Sequence, residues 1–563
     1  MHDVLSWAGT IAIWGGGAIA VLAGGFCILW LLARLNEALP DGKQAVTTQQ
    51  TQGRGRAATQ KEAAAAMQGR GRVTALDEVK FPGHEIVDSP AIFLGAHYDR
   101  TTGRTGLPNT YEGPLGVLLF GLSGAGKFTR LLSGILLTIT GRSVVCIDVK
   151  GELAAVTSRF RRSVSDVLII DPFGPYSDGF NPLAWLDPDG EDLYRAAARL
   201  AEAMIKIEGN DPHWPESAQG LVEALIMWEV KRAAKEKRVP SLGNVRAMLT
   251  EADEWEAGSD GKDHLVKGLR VTAGRMIAEG GYEIISLAGR FLDETNEIKS
   301  IQSTADTQTK WLLDPALRAD LSKNGVDFSR LKEHPTTVYI VVPAAEITFA
   351  SKWLRLVITS ALRAQMKPGG LSTLFILDEF YAALGHLKII EEVWALVRGY
   401  RIQLMPVIQS VTQLQKLFND AWENFMAQAG VVLTIGPPND KPTAEWMSWR
   451  SATKSVTQQS FNESSGWGGG SGNSSKSTNY QEIDRPVLSA QELMDTPTGH
   501  GWMWVQGWGE HGSVFPFFAP NYWHLKKLDD RADPNPYQPS AMPTELPPAA
   551  DGRPRRLCGS GSR

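Results

Sequence analysis

Apolar residues follow two patterns along this chain. Short, continuous aliphatic runs occur at GVLLF (116–120), SVVCIDV (143–149), VLIID (167–171), TVYIVVP (337–343), LFILDEF (374–380), IQLMPVIQ (402–409) and GVVLTIG (430–436). A strand that is apolar at every position must be covered on both faces, so these runs predict a parallel sheet with helices on each side. Between residues 187 and 299 the strand pattern lapses. Segments such as EDLYRAAARLAEAMIKI, from Glu191, and ESAQGLVEALIMWEVKRAAKE, from Glu216, interleave charge at helical spacing. They predict an all-α insertion between two parts of one α/β domain.

The two ends of the chain read differently. Residues 4–33 contain no charged side chain, and as a helix they extend about 45 Å, enough to cross a ~30 Å hydrocarbon core with tilt. A secretory leader is the competing reading, but Met1, His2 and Asp3 supply no cationic start and the apolar run is long. Arg34, Lys43, Arg54 and Arg56 follow the span, which orients the remainder toward the cytoplasm. Residues 41–79, with QGRGR twice, cannot bury a core and read as a tether. SSGWGGGSGNSSKS, at 464–477, reads as a long flexible loop, and the proline-rich stretch after 534 as a disordered tail.

Composition narrows the picture. The chain has 563 residues, 43% of them hydrophobic and 21% charged, enough for several packed domains. Its net charge of -5 and pI of about 6.1 exclude a nucleic-acid binder that relies on bulk positive charge, so such contacts would be local. Cys27, Cys146 and Cys558 lie far apart and are odd in number, which excludes a disulfide framework or a zinc cluster.

The chemistry concentrates where GVLLF meets GLSGAGKFT. Gly121, Leu122, Ser123, Gly124, Ala125, Gly126 and Lys127 have the G-x-x-x-x-G-K spacing, with a strand before and an apolar helix after. That spacing lets successive backbone N–H groups converge on phosphate oxygens, and the lysine reaches the β- and γ-phosphates. Phe128 stands where a magnesium-binding Ser or Thr is expected, with Thr129 one place later. Either Thr129 takes the metal through an altered turn, or the ion depends on other ligands and water, or turnover is slow. LFILDEF places Asp378 and Glu379 at the end of a buried strand, where ligands of open α/β sheets bind. Asp378 is the candidate for holding hydrated magnesium and Glu379 for polarising the attacking water; both could instead cap the next helix. Gln409 ends another apolar run and is a γ-phosphate sensor or a turn residue. Arg398 is a candidate arginine finger for a neighbouring subunit's nucleotide or an ordinary surface arginine.

Together these motifs resemble the type IV secretion system coupling proteins, the TraG-like conjugative-transfer ATPases. DVKGEL (148–153), DPFGPYSDGFNPLAW (171–185), DPHWPESAQGL (211–221), LDEFYAALGHL (377–387), VIQSVTQL (407–414) and DRPVLSAQELM (484–494) follow the family's order over about residues 85–525. The resemblance implies a RecA-like P-loop motor interrupted by an all-α domain and anchored in the bacterial inner membrane, where this sequence offers a single pass. Its parts would be an anchor at 1–40, a linker at 41–85, motor segments at 86–186 and 300–533, the insertion at 187–299 and a tail at 534–563. It implies ATP and Mg2+, a homo-hexamer, and partners in the secretion channel. The cargo would be relaxase-bound single-stranded DNA, effector proteins, or both. The family's nucleotide residues fall on 121–129, Asp378, Glu379 and Gln409, and its proposed finger on Arg398. Two departures stand out: the family usually has two membrane spans, and phenylalanine at 128 is unusual. A non-hydrolysing receptor for secreted proteins and an FtsK/HerA-like DNA translocase are the alternatives. Lys323, Arg330 and Lys332 are candidates for gripping a strand, a solvated cluster being the plainer reading.

Overall fold

In the computed structural model the described residues are 73–75, 87–207, 211–257, 263–266, 268–293, 295–466, 473–507 and 514–537. The expected membrane span at residues 4–33 and the tail beyond 537 lie outside them. Among the described residues no helix is long and apolar enough to cross a membrane.

The strands, in chain order, are β1 (Val73–Ala75), β2 (Ile92–Asp99), β3 (Arg104–Tyr111), β4 (Val117–Phe120), β5 (Ser143–Asp148), β6 (Asp166–Ile170), β7 (Glu254–Ala257) and β8 (Asp263–Val266). They continue with β9 (Thr336–Val341), β10 (Thr373–Leu377), β11 (Ile402–Ile408), β12 (Val431–Ile435), β13 (Thr453–Gly466), β14 (Asn473–Pro486), β15 (His500–Val505) and β16 (Phe515–Phe518). One 12-stranded sheet runs β1-β3-β2-β16-β15-β12-β4-β11-β10-β5-β9-β6. The seven aliphatic runs of the sequence form its parallel part, from β12 to β6. β15, β16, β2, β3 and β1 extend it in antiparallel pairs.

Alternating side chains explain why those runs have no polar face. Leu118 and Phe120 of β4, Val145 and Ile147 of β5, and Phe375 and Leu377 of β10 enter one core. Val117 and Leu119, Val144 and Cys146, and Leu374 and Ile376 enter the other. The first core is closed by helices Leu193–Met204, His213–Lys235 and Ser351–Gln365. The second is closed by the helix Glu152–Val164 and by Tyr522, Leu525 and Leu528 near the C-terminus. Arg531 forks onto both Asp88 oxygens at 2.7 Å, tying that C-terminal segment to the residues preceding β2.

The structure departs from the sequence reading in two places. The helical stretch holds a two-stranded ribbon, β7–β8; EWEA and DHLV are too short and too polar to register as strands by pattern. The stretch read as a flexible loop at 464–477 runs into β13 and β14, which pair as a ribbon belonging to a separate unit. Its Gly and Ser content masks the Thr- and Val-bearing alternation on either side.

A buried charge organises the helical part. Glu229 is fully buried, and its carboxylate accepts from Arg238 at 2.5 and 2.9 Å, from the Ser241 N–H at 3.0 Å and from Asn244 at 2.8 Å. Removing the cation strands the anion, whereas making Glu229 a neutral amide at the same time removes the charge and keeps an acceptor for Ser241 and Asn244. Arg238→Ala is therefore expected to lose about 3 kcal/mol in urea unfolding, and Arg238→Met with Glu229→Gln to lose far less. Equal losses would contradict this reading.

Candidate active site

The sheet order separates strands that are consecutive in sequence. β4 lies between β12 and β11, while its successor β5 lies beyond β11 and β10. Such a switch opens a crevice at the carboxyl ends of the strands. Into it run the loop after β4, Asp148 of β5, Asp378 and Glu379 after β10, and Gln409 after β11. The register makes this direct: Leu377 lies beside Ile147 and Pro406, and Ile408 beside Phe120.

The loop is held from beneath by a Gly121 N–H bond to the Ile408 carbonyl at 3.0 Å and closed by the Ala125 N–H on Leu122 at 3.1 Å. Gly124 and Gly126 take φ of 82° and 88°, conformations that glycine adopts without steric cost. A Cβ on Gly126 would come within 2.6 Å of the Arg130 side chain, whereas one on Gly124 would meet nothing within 4 Å. The loop thus closes against its helix and is open at its crown. Lys127 Nζ donates to the Gly121 and Leu122 carbonyls at 2.9 and 3.3 Å.

The helix begins with a π-type turn, Lys127–Leu132, a widening that accommodates one extra residue. Phe128 packs against the second core. Thr129 donates to Asn521 Oδ1 at 2.8 Å, so it would have to release Asn521 to reach an ion.

The acids carry the electrostatics. Asp378 is half-buried, and desolvation of its carboxyl, reinforced by Glu379, pushes it up to about 6 against the pull of Lys127 and Lys150. Its Oδ1 is buried and has no hydrogen-bond partner among the described residues. Asp148 accepts from the Ala154 N–H at 2.8 Å and the Lys150 N–H at 3.4 Å; burial, with Asp378 adding to it, raises it to about 7. Glu379 sits at φ 47°, a left-handed conformation that costs a non-glycine residue on the order of 1 kcal/mol or more and is kept where surroundings enforce it. Gln409 Nε2 donates to Glu379 Oε2 at 3.1 Å, and the Gln409 N–H donates to Gln413 Oε1 at 2.9 Å.

No set of three His, Cys, Asp or Glu side chains among the described residues converges as a metal cage. The donor set suits magnesium instead, which keeps several waters and takes one or two carboxylates plus substrate phosphates. Asp378 Oδ1 offers the unpartnered oxygen.

The crevice thus brings together the 121–127 loop, Asp378, Glu379 and Gln409. Arg398 is elsewhere, on the short turn Val397–Tyr400 that precedes β11. It stands at the amino end of a strand whose far end lies about 20 Å away, so any action on a nucleotide would be on another chain's. Lys332 is buried and donates to the Tyr400 carbonyl, so it belongs neither to a strand-gripping surface nor to the solvated cluster that was the plainer reading, while Lys323 is exposed and donates to the Ser177 carbonyl at 2.7 Å. Asp148, Lys150 and Asn521 escaped the sequence reading. For Asp148 a signal existed, since SVVCID ends in an acid just as LFILD does.

Because the Asp148 carboxyl is raised above its unfolded value, the folded chain binds its proton more tightly, and that contribution to stability is lost as pH climbs from about 4 toward 7. Asp148→Asn keeps an acceptor for the Ala154 N–H without the buried charge. Its stability relative to the parent is expected to improve by about 1 kcal/mol or more between pH 5 and pH 8 in urea melts. A difference independent of pH would show that Asp148 is not held in this way.

Comparison with known proteins follows the same outline. A family model described as "Type IV secretory system Conjugative DNA transfer" matches residues 91–501. The conjugal transfer protein TraG of Escherichia coli is 26% identical over 408 residues, covering 69% of this chain and 62% of TraG. Protein VirD4 of Agrobacterium fabrum is 27% identical over 331 residues, covering 56% of this chain and 46% of VirD4. The chain thus matches between about half and three-fifths of the length of these relatives. Among solved structures, the unbound bacterial conjugative coupling protein TrwBdeltaN70 aligns with a TM-score of 0.54 at 16% identity, covering 72% of this chain and 84% of that one. TrwB in complex with ADP and Mg2+ aligns with the same TM-score at 15% identity, covering 78% and 96%. These likenesses establish a shared mixed α/β fold with a large parallel sheet.

Proposed function

The chain belongs to the type IV secretory system conjugative DNA transfer family, and from that premise we propose that it is the coupling ATPase of a type IV secretion system, using ATP to deliver single-stranded DNA joined to its relaxase into the channel. The observation that carries the proposal is the meeting of the glycine loop, Asp378, Glu379 and Gln409 at one crevice, with Gln409 bonded to Glu379. TrwB structures contain an ATP analogue in one case and ADP with Mg2+ in another, which supports the same ligands here. The inner membrane as its site, the residues before the motor as its anchor and a hexameric ring as its working form belong to the same proposal.

In this reading the backbone N–H groups of residues 121–127 surround the β- and γ-phosphates, and Lys127 leaves its carbonyl partners to meet them. Asp378 would hold a hydrated magnesium ion, whose charge would offset that developing on the phosphoryl group. Glu379, fixed by its left-handed backbone, orients the attacking water and receives its proton. Gln409 holds Glu379 in place and links it to the helix Val411–Phe418 through Gln413. A change at the γ-phosphate therefore has a short path to the strand-helix unit that follows β11, and hydrolysis would shift how the motor grips its cargo.

Lys127→Ala is expected to abolish ATP turnover with little change in thermal stability, because its hydrogen bonds are to loop carbonyls. Unchanged hydrolysis would remove the site assignment. Glu379→Gln should bind ATP normally yet turn it over at least ~100-fold more slowly, as loss of a general base does; failure to bind ATP would invalidate the division of roles. Single-stranded DNA should stimulate hydrolysis by the full chain, with stimulation declining as salt rises. Absence of stimulation at low salt would redirect the cargo assignment to protein.

A further inference from the structure

The opposite end of the sheet holds a second charged crevice. A cleft of about 290 Å³ opens beside the starts of β5, β10 and β11, lined by Arg142, Arg398, Arg401, Glu112 and Gln403, with Pro90, Gly113, Pro114, Ser372 and Ile402 between them. Arg142 is only 5% exposed. Its Nη1 donates to the neutral Gln403 Oε1 at 2.8 Å and to the Pro90 carbonyl at 3.2 Å. Gln403 is itself fixed, donating to the Gly113 and Leu115 carbonyls at 2.9 and 2.8 Å. The Arg142 Nε is buried without a partner, and among the described residues no carboxylate forms an ion pair with Arg142.

A buried guanidinium with no counter-charge is costly, and here the cost shows as burial pulling Arg142 down to about 10. Two more guanidinia border the same cleft. Arg401 is held there by a left-handed backbone, φ 55°, and by its bond to the Gly370 carbonyl at 2.9 Å. The Lys332 ammonium, pulled down by burial and then by nearby Arg401, adds a further cation near Arg401. Glu112 is the one acid in the lining. The missing partner is an anion. Planar guanidinia suit a phosphate's paired oxygens, and the lining has no aromatic ring on which a base could stack, so the cleft reads charge rather than sequence.

We propose that Arg142, Arg398 and Arg401 form a pocket for a backbone phosphate of the nucleic-acid cargo, at the end of the sheet opposite the nucleotide crevice. This rests on the DNA-transfer reading above. It also gives Arg398 a role within its own chain.

The test uses the full chain carrying Lys127→Ala, so that the phosphate loop contributes little, and two probes: inorganic phosphate and a single-stranded oligonucleotide. Phosphate should raise the melting temperature of this protein, and the rise should disappear with Arg142→Met. The Arg142→Met chain should melt no lower than its parent without phosphate, because an uncompensated charge has been removed. Oligonucleotide affinity should drop roughly fivefold at 0.1 M salt with Arg401→Gln, and the slope of log affinity against log salt should shrink by about 0.7, the signature of one lost phosphate contact on a single strand. Absence of any phosphate-dependent rise overturns the pocket. A rise that vanishes with Arg142→Met, but with an unchanged salt slope in Arg401→Gln, overturns the strand assignment and leaves a site for free phosphate. If the parent chain binds no oligonucleotide at all, the DNA-cargo reading fails, and the strand assignment with it, whatever the phosphate melts show.

Discussion

A single unpaired oxygen sets the terms for the rest of this molecule. Asp378 ends a central strand with Oδ1 buried and unpartnered, beside a second buried acid and opposite two lysines. Such a group is unfavourable in a folded core unless something cationic meets it. The sheet order explains how it comes to be there. Placing β10 and β11 between β4 and β5 brings a glycine-rich loop, two acids and a glutamine to adjacent strand ends. The same order leaves the amino ends of β5, β10 and β11 together on the other side, where three arginines gather. The two ends of one parallel sheet thus carry opposite charge problems, an excess of carboxylate at one and of guanidinium at the other.

The geometry also explains why the residue after the loop lysine can be a phenylalanine. A π-type first turn gives Phe128 a place against the core, and Thr129 is drawn to Asn521 near the C-terminus. In the proposed mechanism the burden of metal holding would thereby fall on the carboxylate side of the crevice. Glu379, in a strained conformation and bonded to Gln409, supplies the rigid element that a water-positioning group needs.

Much of this was legible in the sequence, for a physical reason. A strand covered on both faces shows as an unbroken aliphatic run, so the parallel part of the sheet was readable from β4 to β12, and Gly121, Lys127, Asp378, Glu379 and Gln409 were readable as its punctuation. The antiparallel extension was not. Segments such as RTGLPNTY and HGWMWV mix polar, glycine and aromatic residues, and their pairing depends on neighbours far away in sequence. Asp148 was visible only as part of a motif, because its proximity to Asp378 comes from strand pairing rather than spacing. Arg398 was a candidate finger for a neighbouring subunit's nucleotide or a surface arginine, and its spacing from Gln409 could not choose between them; the intervening strand places it at the end of the sheet away from its own chain's crevice. At 464–466 and 473–477 the composition misled, glycines and serines hiding the ends of two paired strands.

The central claim is that Asp378 and the glycine loop share one metal-nucleotide ligand. An anomalous difference map from crystals grown with Mn2+ and a non-hydrolysable ATP analogue tests it directly. The account requires a peak within one coordination bond or one bridging water of Asp378 Oδ1, with the γ-phosphate between Lys127 Nζ and the Glu379 carboxylate. Nucleotide bound with its phosphates away from residues 121–127, or metal bound without Asp378, would contradict it.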